Sequence, residues 1–72
     1  MNEGRYDEAL ERFSWVLERG KRDLRAWMGL VAAFEGKGAV GEAFRVLVDA
    51  RNTLPRDPTI ETKLRELQTR VR

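Results

Sequence analysis

Seventy-two residues make one small domain that buries roughly 60 to 65% of the surface its unfolded chain exposes, marginal by itself and suited to a partner or a longer parent chain. Without Cys there is no disulfide framework and no thiolate metal site, and without His the commonest general base and metal ligand is missing. The formal charge of +2 splits into seven basic against eight acidic side chains over residues 1 to 44 and seven against four over 45 to 72, hence −1 and +3, too weak for a nucleic-acid footprint by itself.

No apolar run approaches the roughly 18 residues of a membrane span, and the opening Met-Asn-Glu-Gly-Arg lacks the regions of a signal peptide. The expectation is a soluble, cytoplasmic chain with no membrane contact.

After a polar lead over residues 1 to 5, the spacing of Tyr6, Ala9, Leu10, Phe13, Val16 and Leu17 predicts a helix over 6–19 with an apolar face about 100° wide, ended by Gly20. Asp23 is placed to cap a second helix over 24–36. Leu24, Trp27, Leu30, Val31 and Phe34 lie on one side of it, while Met28, Gly29, Ala32, Ala33 and Gly36 make most of the other small or apolar. A helix apolar nearly all round is covered from both sides, so this one is the centre of the domain.

Gly36-Lys37-Gly38 breaks the run. A third helix over 40–53 buries Val40, Ala43, Phe44, Leu47, Ala50 and Leu54 and shows Glu42, Arg45, Asp49 and Asn52 to water. Leu54-Pro55-Arg56-Asp57-Pro58 forbids its continuation, and Asp57-Pro58 reads as an N-cap with proline at the first helical position. The fourth helix, 58–71, carries the narrower stripe Ile60, Leu64, Leu67 and Val71 between charged residues, which makes it a lid. Four helices and no strand are expected, with Trp27, Leu30, Phe34, Ala43, Phe44 and Leu47 buried.

Compared with itself at a shift of 34 residues, the chain aligns Gly4 with Gly38, Glu8 with Glu42, Ala9 with Ala43, Asp23 with Asp57 and Leu30 with Leu64. Apolar residues meet at Tyr6/Val40, Leu10/Phe44, Phe13/Leu47 and Val16/Ala50. The period, with Trp27, Leu30, Phe34, Ala43, Leu47 and Pro55, resembles the tetratricopeptide repeat. One repeat is complete; the first helix resembles the second helix of a preceding repeat, and the fourth the first helix of a following one. Glu61 stands where a further Trp would fall, which suits a terminal helix with one solvated face.

The resemblance implies an all-α, right-handed stack of antiparallel helix pairs, an α-α superhelix, whose first helices line a concave groove that binds peptide segments of other proteins. Carried onto this chain, the groove residues are Arg25, Met28, Ala32 and Glu35 from the second helix and Thr59, Thr62, Lys63 and Glu66 from the fourth. Met and Ala flanked by one cation and one anion suit an apolar or mixed peptide. The Lys and Asn set that clamps a C-terminal carboxylate in some members has no counterpart at these positions. Alternatives are an oligomerisation or regulatory unit of a larger protein and, less favoured, nucleic-acid binding through the C-terminal arginines.

Other patterns carry less. Gly36, Gly38 and Gly41 match G-x-G-x-x-G, but a dinucleotide site needs a strand leading in, and the preceding segment has helical period. Glu8 and Glu11 share a helix face with Arg12, Arg19 and Trp15, better read as an ion-pair surface than as an acid/base or metal pair. No catalytic role, cofactor or metal is expected. Arg51, Arg56, Lys63, Arg65, Arg70 and Arg72 are interleaved with acids and have no exposed aromatic for base stacking. Trp15, opposite the first helix's stripe, suits a cation–π pair with Arg19 or Arg12 as well as an interface anchor. Because no helix precedes the first one in this chain, part of the face built from Tyr6, Leu10, Phe13 and Leu17 is expected to lack a cover, and the chain to form a homo-oligomer through it with Trp15 at the margin.

Overall fold

Caps and breakers set the limits of four helices: α1 (Glu3–Arg19), α2 (Leu24–Gly36), α3 (Val40–Thr53) and α4 (Pro58–Arg70). The computed structural model describes residues 3–70, with side chains from 5 to 69, and no strand occurs among them. Asp23 caps α2 by accepting from the amides of Arg25 (3.0 Å) and Ala26 (3.4 Å). Asp57 repeats the device at α4, accepting from the Thr59 amide at 2.9 Å. A 34-residue shift carries α2 onto α4 end to end, and its Asp cap with it.

The α2–α3 turn closes through two crossed bonds, Ala39 N–H to the Phe34 carbonyl (2.8 Å) and Gly38 N–H to the Glu35 carbonyl (2.9 Å). This is the Schellman arrangement, and it puts Gly38 at φ 81°, a conformation that glycine alone adopts without strain. The glycine triplet is therefore a helix stop with no strand before it, and the nucleotide fingerprint is without its structural context. α1 begins three residues earlier than expected and takes in Gly4. In a first turn the amides have no helical partners anyway, so a glycine there costs less than one in mid-helix. Val71, expected at the end of the α4 stripe, lies outside the described residues.

Each helix packs on the next, and the chain measures 34 × 33 × 14 Å. Four helices round a common axis would give a cross-section of about 14 Å in both directions, one interhelix spacing plus the backbone radii. Only one dimension is that short, so the helices form a zigzag slab. The core runs along its seams: Leu17, Ala26, Trp27, Leu30, Val31, Ala43, Leu47, Ala50, Ile60, Leu64 and Leu67. Phe34 and Phe44, expected inside, are half-buried. They pack against the core from its margin, because a seam one helix spacing deep, already filled by Leu47, Ala43 and Val31, leaves no room for two more whole rings.

α1 docks on α2 through glycine. A Cβ built at Gly29 would collide with the ring of Phe13, and one at Gly36 with the ring of Tyr6. Both pairs are separated by seven residues in opposite chain directions, which makes α1 and α2 antiparallel and explains a mid-helix glycine that otherwise costs about 1 kcal/mol relative to Ala. Trp27 closes the same corner, its indole N–H donating to the Lys21 carbonyl at 2.6 Å.

Candidate functional site

α2 and α4 lie side by side on one face of the slab, joined by an ion pair between their side chains. Lys63 Nζ of α4 is 3.0 Å from Glu35 Oε1 of α2 and 3.3 Å from Glu66 Oε1 one turn along its own helix. The hydrogen bond to Glu35 raises the Lys63 pKa above its ordinary 10.5; partial burial works against this, and the charges of Glu35 and Glu66 add to it. The ammonium is thus held charged between two carboxylates.

Beside this bridge is an open cleft of about 350 Å³ lined by Met28 from α2 and Pro58, Thr59, Thr62, Lys63 and Glu66 from α4. The Thr62 hydroxyl donates to the Pro58 carbonyl at 2.9 Å, so its oxygen keeps acceptor capacity toward the cleft. Of the eight groove residues expected from the sequence, five line this cleft and a sixth, Glu35, reaches it through Lys63. Arg25 and Ala32 are exposed on α2 and do not line it. The small α2 residues do not all share a face: Ala26 and Ala33 are buried and Gly29 and Gly36 sit against α1 rings, which leaves Ala32 as the exposed alanine of α2.

A larger depression runs along α1 and includes Leu10, Trp15 and Val16. It is lined from a single helix and opens widely, so its size does not make it a ligand pocket. The face of α1 expected to lack a cover is largely closed by α2: Leu17 is buried, and Tyr6 and Phe13 are half-buried on the two glycines. Trp15 instead stands 55% exposed, with the Arg19 guanidinium 4.1 Å from its ring centroid.

Sequence reasoning missed the Lys63–Glu35 bridge, the Trp27–Lys21 bond and the pair between Lys37 Nζ and Asp7 Oδ1 (2.6 Å), which ties the α2–α3 turn to α1. The one signal for any of them was the matched seven-residue spacing of Tyr6/Phe13 and Gly29/Gly36, which sets the register that brings Asp7 to Lys37. Arg51, Arg56 and Arg65 are exposed; the side chains of Arg70 and Arg72 lie outside the described residues. Among the described residues no group of three potential metal ligands occurs, and no helix is long and apolar enough to cross a membrane. In comparisons with known proteins, no family model, curated protein or solved structure matches this chain.

Proposed function

We propose that the chain is a tetratricopeptide-like interaction module that takes a short peptide segment of a partner protein across the α2–α4 face. The observation that carries this reading is the meeting of Met28, Thr59, Thr62, Lys63 and Glu66, from helices one 34-residue period apart, in one open cleft. Met28 offers an adaptable apolar contact, Thr62 an acceptor for a peptide N–H, and the Lys63–Glu35–Glu66 bridge a fixed pattern of charge against which a mixed peptide is selected. Exposed Ala32 extends the surface along α2, where a peptide approaches the backbone closely.

The test is selection from a random peptide library, followed by titration of a selected peptide against the wild type, Ala32→Arg and Thr62→Arg. Both positions are exposed, so melting should change by no more than about 0.5 kcal/mol. Affinity should fall by roughly tenfold or more, the size of one lost packed contact. Unchanged affinity in both variants would move the site off this face.

A further inference from the structure

The side of α1 turned away from α2 carries a stripe that neither the fold nor the cleft uses. Glu8, Arg12, Trp15 and Arg19 are all exposed, and steps of four, three and four residues stack them along one side of the helix, the spacing of a two-helix seam. Trp15 is the one large hydrophobic side chain left exposed among the described residues, and half-buried Val16 borders it in the same depression.

The order of chemistry along the stripe is anion, cation, indole, cation. Reversed, it is cation, indole, cation, anion, and the two orders complement each other at every step. Antiparallel pairing sets Glu8 against Arg19 and Arg12 against Trp15, each twice, whereas parallel pairing in register sets Glu8 on Glu8 and Arg12 on Arg12. The arginine–indole kind of pair is already present within the chain, where Arg19 covers the Trp15 ring.

We propose that this stripe is a homodimer seam, in which two copies pair α1 against α1 antiparallel about a two-fold axis between the levels of Arg12 and Trp15. A second copy is the occupant because the stripe is complementary to itself, which a surface shaped for an unrelated partner has no reason to be. Glu11 and Glu18 flank one side and meet the same flank of the other copy across a solvated rim. That repulsion, and a seam smaller than the roughly 1,200 Å² of a stable interface, make the dimer weak and exchanging. The seam is on a different helix from the α2–α4 cleft and does not depend on it.

Sedimentation equilibrium of the full chain from about 10 µM to about 1 mM, the range a weak interface spans, tests this. The wild type should approach twice the monomer mass, and Trp15→Ser should remain monomeric with unchanged helical circular dichroism. Glu8→Arg or Arg19→Glu alone should weaken the dimer roughly tenfold by setting like charges together, and the double variant should restore it. Glu11→Gln with Glu18→Gln should tighten it, and Ala32→Arg should leave it unaltered. A wild type monomeric throughout, a dimer indifferent to both single reversals, or a double variant no better than the singles would overturn the proposal.

Discussion

The two outer helices end the slab in opposite ways. α4 keeps its apolar residues inside, with Ile60 and Leu67 at 0% and Leu64 at 4% exposure, and gives water Glu61, Thr62, Arg65, Glu66, Gln68 and Thr69. α1 divides its apolar residues, burying Leu17, resting Tyr6 and Phe13 on glycines, and leaving Trp15 outside. The cause is visible in the spacing. Ile60, Leu64 and Leu67 form a stripe narrow enough for its neighbours to cover, whereas α1 has a broad apolar face and an indole opposite it. One end is closed by its own polarity, and the other leaves an indole in water.

The largest way to break this contrast is truncation at the closed end. Leu67→Ala should cost about 2 to 5 kcal/mol, as should Leu30→Ala at the centre, the range for buried leucines. Leu10→Ala on half-buried ground should cost about 1 kcal/mol, since less of its surface leaves water on folding. Urea melts of the three variants measure the difference, and equal losses would mean that α1 is as enclosed as α4.

Next in size is the glycine dock. Gly29→Leu drives a branched side chain into the Phe13 ring and should destabilise by about 1 to 3 kcal/mol, the cost of overpacking. Phe13→Ala in the same chain should recover part of it, and a double-mutant cycle with no coupling would place α1 elsewhere. The paired caps come third: Asp23→Ala and Asp57→Ala should each lose about 1 kcal/mol. A much larger loss at Asp23 would mean that the α1–α2 corner, where Trp27 bonds Lys21, depends on its cap more than the α3–α4 corner does.

The smallest effect is the Lys63 bridge. A pKa raised in the folded state adds stability that is fully present below 10.5, the ordinary value, and is lost as pH rises through the higher folded value. Stability attributable to Lys63, taken as the difference from Lys63→Gln, should be level through neutral pH, decline only in strong alkali, and stay within about 1 kcal/mol for a pair partly open to water. A difference already lost by pH 9 would mean that Glu35 does not hold the ammonium.

The sequence by itself determined where helices stop and start, because those events are local. Asp23 and Asp57 cap through amides two or three residues away, Gly38 supplies the positive φ, and Pro55 and Pro58 forbid a continuous helix, so the limits of α2 and α3 were legible to the residue. It also determined which stripes are apolar, and with them most of the core. Which neighbour covers each stripe, and how completely, was left to tertiary structure. Phe34 and Phe44 carry the same hydrophobicity as any core residue, but a slab one helix spacing thick leaves both half in water. The cover of Tyr6 and Phe13 depended on Gly36 and Gly29, far along the chain on the next helix, and beyond the matched spacing a missing side chain gives no sign of what fills its space. The Lys63–Glu35 bridge joins helices whose alignment arises only after α3 has packed between them in sequence, so the charge pattern on either helix alone could not specify it.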